Sequence, residues 1–258
     1  MRVTGIGLDR VVSVFEVVRR LPEIARVREI SQAIAMLDAI LTRGSFSFDA
    51  EWAPGEMMAS MSHGFGQEYS IVFSAAGACA RGFDHESPLN PYRQSPTRTW
   101  PGLLEGAPEA FRPTIEEPAF SEASGILLAT VVFWRATGDP AWTCGNVELP
   151  ASDANSDDTN ADDTDVDGAD RLFAVLADGR PEAYQEFVQD ADDLDVDIAA
   201  IQHVYELRPL TRSVVSALNP DLNLGDLEPD RKQIGYPAPD EEELPEQPRR
   251  SLWGWPLL

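Results

Sequence analysis

The sequence predicts an α+β protein: an antiparallel sheet with one long N-terminal helix, plus a C-terminal subdomain of short helices. Three observations carry this. Residues 66–87 read as two strands joined by a tight turn, with Tyr69, Ile71 and Phe73 alternating onto one face and Ser70, Val72 and Ser74 onto the other. Residues 22–43 place Ile24, Val27, Ile30, Ile34, Leu37 and Leu41 at three- and four-residue spacing, which lines one side of a helix. Beyond residue 168, short apolar-periodic segments are divided by Asp, Thr, Gly and Pro in capping positions.

Taken in order, residues 1–20 fit a buried strand or a helix with a wide apolar face, since Val11, Val12, Val14, Phe15, Val17 and Val18 satisfy both. Pro22 suits the first turn of the long helix, and Arg43-Gly44 suits its end. A strand follows at 45–52, with Phe46 and Phe48 and then Ala50 or Trp52 on one face; Pro54-Gly55 turns it into a second strand at 56–62. Residues 75–77 return the third strand into a fourth, giving a meander of about four strands.

Seven prolines between Pro88 and Pro118 forbid a long helix or inner strand there, and so long an irregular connection is expected to be a functional surface or lid. Residues 126–134 are apolar on both sides and read as a buried central strand, onto which 142–149 pair back after Gly138-Asp139-Pro140. Residues 150–170 are dominated by Asp and contain no aromatic residue, as a solvated linker or insertion would. Helices are then expected at 170–178, ended by Gly179, at 181–190, after Asp197, and after Thr211 up to Asn219-Pro220. This divides the chain into a sheet domain (1–149), an acidic linker (150–169), a short-helix subdomain (170–236) and a mobile tail rich in Pro and Glu (237–258).

The chain of 258 residues carries a net charge of −24 with 43% hydrophobic residues. That balance allows a sizeable core and disfavours nucleic acids and anionic membranes as direct ligands. It favours a basic protein partner, metal cations or a saline medium. Lys232 is the only lysine. Cys79 and Cys144 are far apart and form no CxxC pair, and the N-terminus has no signal-peptide pattern, so two reduced thiols in the cytoplasm are expected.

Four groups of residues stand out as candidate sites. Asp84-His85-Glu86, with His63 nearby in sequence, offers a histidine flanked by carboxylates for acid–base or metal chemistry; the plainer reading is a turn in which Asp84 or Ser87 accepts backbone hydrogen bonds. Asp163, Asp165 and Asp167 with Gly168 match the opening of a calcium loop, but the twelfth position is Ala174 where a bidentate Glu belongs, so no more than weak Ca2+ occupancy is expected and no other cofactor. Tyr92, Trp100, Phe111, Phe120, Trp134 and Trp142 form an aromatic set in which Tyr92 and Trp100 are the binding candidates and Phe120 and Trp134 are read as core. Trp253 and Trp255 near the C-terminus are candidates to dock in a groove on a partner or on the protein itself.

At GFDHESPLNPY, then WPGLLEGAPEAF, EEPAF and FWRATGD-x-x-W, the chain resembles a group of bacterial proteins with no established activity. The likeness covers about residues 45–237, apart from the acidic segment. It implies a soluble accessory gene product of the kind found beside toxins and carries over no catalytic residue. Charge and the lack of a complete catalytic arrangement together predict a non-catalytic binding protein, an immunity- or antitoxin-type inhibitor of a basic protein. The alternative is a metal-dependent or acid–base hydrolase built on Asp84, His85 and Glu86.

Overall fold

A computed structural model describes residues 13–64, 66–123, 125–150 and 165–238. Two helices open it, the short α1 (Val14–Arg20) and the long α2 (Ile24–Leu41). Strands β1 (Phe46–Ala53), β2 (Glu56–His63), β3 (Gln67–Ser74) and β4 (Gly77–Asp84) follow, then α3 (Arg112–Ile115), β5 (Val131–Ala136) and β6 (Thr143–Cys144). Helices α4 (Ala169–Asp178), α5 (Pro181–Asp192), α6 (Ile198–Tyr205), α7 (Arg212–Leu218) and α8 (Glu228–Ile234) close the chain. The six strands form one antiparallel meander in sequence order.

Alternation sorts the strands between two cores. Phe48, Ala59, Ile71, Ala80 and Phe133 share the face that packs against α2 and the later helices. Val72, Cys79, Val132 and Trp134 share the opposite face. The proline-rich segment covers that second face: Leu89, Leu103, Phe111, Phe120, Leu127 and Ala129 are buried on it. Where a lid or functional surface was expected, the segment thus forms the sheet's second layer, built from short 3-10 turns because proline denies it longer elements.

The long helix is realised as α2, which stops where Thr42 turns left-handed at φ 55°. The N-terminal valine run resolves to helix from Val14, with Val14 and Val17 buried. The strand expected at 126–134 begins only at Val131 and is fifth of six, yet its first four residues are all buried because both sheet faces are covered. Asp197 and Thr211 cap α6 and α7 through their side chains, as their positions suggest. Helix α8 was not expected; Pro229 within Glu-Pro-Asp hides a helix start, although proline is tolerated in a first turn.

Helices α4 to α8 share one apolar cluster with α2 and the sheet, through Leu172, Phe173, Tyr184, Ile201, Val215 and Ile234. The short-helix segment therefore packs on the sheet within the same core. Residues 1–12, most of the acidic segment (151–164) and 239–258, with Trp253 and Trp255, lie outside the described residues. Among the described residues no helix is long and apolar enough to cross a membrane.

Candidate functional site

Asp84 ends β4 on the helical side of the sheet and is 1% exposed. Its Oδ2 accepts from Arg171 Nη1 at 3.0 Å, and its Oδ1 accepts from the Glu86 backbone N–H at 3.0 Å. Ser87 Oγ accepts from the Leu89 N–H and donates to the Val166 carbonyl. The bonds from the Glu86 and Leu89 N–H groups are those of a turn, while Arg171 and Val166 tie that turn to α4 and the residues just before it. His85 and Glu86 are exposed on that turn, while His63 shares the sheet face of Asp84 with Gln67 between them in register. Two strand spacings separate their backbones, about 10 Å. The four side chains do not converge, and a carboxylate held by a guanidinium and closed to solvent is not placed to take a substrate proton.

His63 belongs to a different neighbourhood. Its ring packs against Phe46 and Phe187, and burial first, then Arg43, holds its pKa below the usual value. Arg43 lies over the Phe187 ring and bonds Asp192. It also faces Asp38 at 3.6 Å, and Asp38 is 2% exposed with its pKa pushed up by burial. The group links the end of α2 to the end of α5 as an ion-pair clamp, and Asp38 and Phe46 also border a hollow of about 300 Å3 on the side of α8.

Asp165 and Asp167 also serve the backbone. Asp165 accepts from the Asp170 and Arg171 N–H groups, satisfying orphan donors at the start of α4. Asp167 accepts from the Ala169 N–H and, across 153 positions, from the Val14 N–H that begins α1. It is fully buried, which pushes its pKa up to about 7. Asp163 lies outside the described residues. Among the described residues no group of three or more His, Cys, Asp or Glu side chains is arranged to hold a metal ion.

The aromatic candidates divide. Tyr92 is 53% exposed on the 3-10 turn Pro91–Arg93. Trp100 donates through Nε1 to the Glu148 carbonyl at 3.1 Å, which fastens the proline-rich layer to the irregular segment beyond β6. Phe111 and Phe120 are buried in that layer, Trp134 is buried on the sheet face beneath it, and Trp142 is buried on the helical side with its Nε1 donating to the Pro22 carbonyl.

An aromatic hollow forms around Trp52, which the sequence marks only as a strand position. Phe46, Phe48 and Ala50 all face the helical core, so strict alternation would send Trp52 there too. The β1–β2 register shifts between Asp49 and Ala53, and Trp52 instead packs on the proline-rich layer. Its ring lies nearly parallel to Phe120, at 8° and 6.2 Å between centroids. The Arg81 guanidinium lies over the same Phe120, 4.9 Å from its centroid. Arg81 is itself held by Glu68 and the Leu128 carbonyl. Half-buried, Trp52 borders two adjoining hollows. One, about 510 Å3, follows the Pro54-Gly55 hairpin with Glu51 and Glu56; the other, about 330 Å3, adds Pro113, Thr114 and Glu117. No Arg or Lys lines either hollow. A register break leaves no mark in a hydrophobic pattern; the only sequence signal was a Trp two residues before a Pro-Gly turn and flanked by glutamates.

No protein-family model matches this chain, and neither the curated proteins nor the solved structures give a significant match to it.

Proposed function

We propose that the protein is a non-catalytic binding protein that meets a basic protein partner, as an immunity- or antitoxin-type inhibitor does. The observation that carries this reading is the groove beside Trp52, bounded by Glu51, Glu56 and Glu117 with no cation among its lining residues. Tryptophan anchors interfaces because it buries a large rigid surface at small entropic cost. Carboxylates around such an anchor attract a positive surface, speed encounter and reject acidic competitors. The excess of negative charge over the whole chain acts in the same direction at longer range.

The reading is tested by capture with the full chain as bait, in parallel at low and high salt. A partner of basic isoelectric point is expected at low salt. Its recovery should fall as salt screens the contact, and should fall again when Glu51, Glu56 and Glu117 are together replaced by Lys. Capture of no basic protein at low salt overturns the reading.

A further inference from the structure

We propose that the hollow beside Trp52 takes an arginine side chain of the partner, with its guanidinium laid on the indole and its N–H groups directed at Glu56 and Glu117. This rests on the reading of a basic partner and names the group that is recognised. Two features favour a planar guanidinium over an ammonium, and a third leaves the site organised for an incoming side chain.

The first is the aromatic pair. Trp52 and Phe120 are nearly parallel, and Arg81 already lies over Phe120 from inside the fold, 4.9 Å from the ring centroid. Phe120 thus already accepts a guanidinium, as the negative face of an aromatic ring does, and the parallel Trp52 ring offers a face of the same kind. The second is the carboxylate placement. Glu56 and Glu117 come from different layers, the β2 start and the proline-rich segment, and both line the 330 Å3 hollow with Trp52. A forked donor reaches two such acceptors at once, whereas an ammonium acts as a point charge.

The third is that Arg112, the cation next in sequence to the lining residues, is engaged elsewhere. It precedes the lining residue Pro113 but pairs with Glu109 at 2.6 Å. Glu117 keeps its own fold contact, accepting from the Ala119 N–H through Oε1. Its carboxylate therefore arrives fixed by the 3-10 turn Pro118–Phe120, and little side-chain freedom is left to lose on binding. Trp52 is fixed likewise by Phe120, so the hollow is organised before a ligand arrives.

The experiment is titration of the full chain at low salt with two probes of equal charge, a hexa-arginine and a hexalysine peptide. Hexa-arginine is expected to bind at least fivefold more tightly. Trp52→Leu should bring its affinity down to that of hexalysine and leave hexalysine nearly unchanged, and Trp52→Phe should keep much of the preference. Glu56→Gln with Glu117→Gln should weaken both peptides, while Glu186→Gln with Asp190→Gln on α5 should leave the preference unchanged. Circular dichroism establishes that each variant is folded. Equal binding of the two peptides to the unaltered chain, or a preference that survives Trp52→Leu, overturns the arginine site and leaves the basic-partner reading standing. Binding of neither peptide, together with failed capture, overturns both. A marked gain in hexa-arginine affinity on replacing Arg249 and Arg250 with Ser would make the chain's own segment the occupant and overturn the proposal.

Discussion

Arg171 Nη1 donates to Asp84 Oδ2 at 3.0 Å, so a helix residue neutralises a carboxylate that ends a strand 87 positions earlier. Asp84 is buried and its charge has no other cation within reach in the described ion pairs. Removing the guanidinium leaves that charge stranded, which for buried pairs costs about 3–5 kcal/mol. Arg171 is partly exposed, so Arg171→Met is expected to cost about 3 kcal/mol, at the low end of that range. Asp84→Asn should cost less, and Arg171→Met in that background should cost little further. Denaturant unfolding of the two single variants and the double variant measures this. Additive costs would mean that the pair contributes nothing.

Gly168 sits one residue ahead of α4 at φ +80°, and a Cβ built there would lie 2.6 Å from Asp84 Cβ. Gly179, at the far end of the same helix, has φ +73°, but its nearest neighbour is the movable end of Ile30 at 3.2 Å. Both Ala substitutions meet left-handed strain, of about 1 kcal/mol. Only Gly168→Ala also collides with a fixed side chain and disturbs the Arg171 pair. Gly168→Ala should therefore lower the unfolding midpoint clearly more than Gly179→Ala. Equal losses would show that the Asp84 contact is slack.

Asp167 supplies the pH dependence. Burial raises its folded pKa to about 7 against an unfolded value of 3.8. A carboxyl group raised on folding binds more protons in the native state between those values, so its contribution is complete at low pH and is lost as pH climbs towards 7. At about 1.4 kcal/mol per pKa unit the effect amounts to a few kcal/mol. Asp167→Asn cannot titrate, but it turns one acceptor into a donor facing the Val14 or Ala169 N–H, so it is destabilising in acid. The gap between the unaltered chain and Asp167→Asn should therefore narrow steadily from pH 4 to pH 7. A gap that widens over that range would show that the two backbone donors outweigh burial and hold the carboxylate ionised.

Much of the framework was legible because local chemistry and tertiary packing agree. The spacing in α2, the alternation in β3 and the side-chain caps at Asp197 and Thr211 each express a preference that the fold then uses. What stayed hidden depends on neighbours remote in sequence. Asp84, His85 and Glu86 are consecutive and chemically able, yet Arg171 arrives from α4 to take up Asp84, and no pattern near residue 84 announces it. Asp165 and Asp167 have calcium-loop spacing because alternate Asp side chains also suit backbone donors around a left-handed glycine. Trp52 was obscured by the register break in β1, since periodicity assigns a face only while the ladder is regular.

Salt should act on the helix that carries the densest described acidity. Residues 182–197 hold Glu182, Glu186, Asp190, Asp192, Asp193, Asp195 and Asp197 with no Lys or Arg. Some have structural work: Asp192 bonds Arg43, Asp193 accepts from Gln189, and Asp197 caps α6. Glu182, Glu186 and Asp190 follow one another at i, i+4 along α5, where each like-charge pair costs about 0.2–0.5 kcal/mol. Glu186→Lys turns two repulsions into attractions on an exposed face. It should stabilise the protein by roughly 0.5–1 kcal/mol at low ionic strength, in line with the pair energies. The gain should shrink as salt rises past about 0.15 M, where the Debye length falls to about 8 Å. The unaltered chain should itself melt at a higher temperature as salt is first added. Thermal unfolding of both chains over a salt series decides the matter, and a Glu186→Lys gain that is independent of salt would mean that the lysine stabilises α5 by packing rather than by relieving charge repulsion.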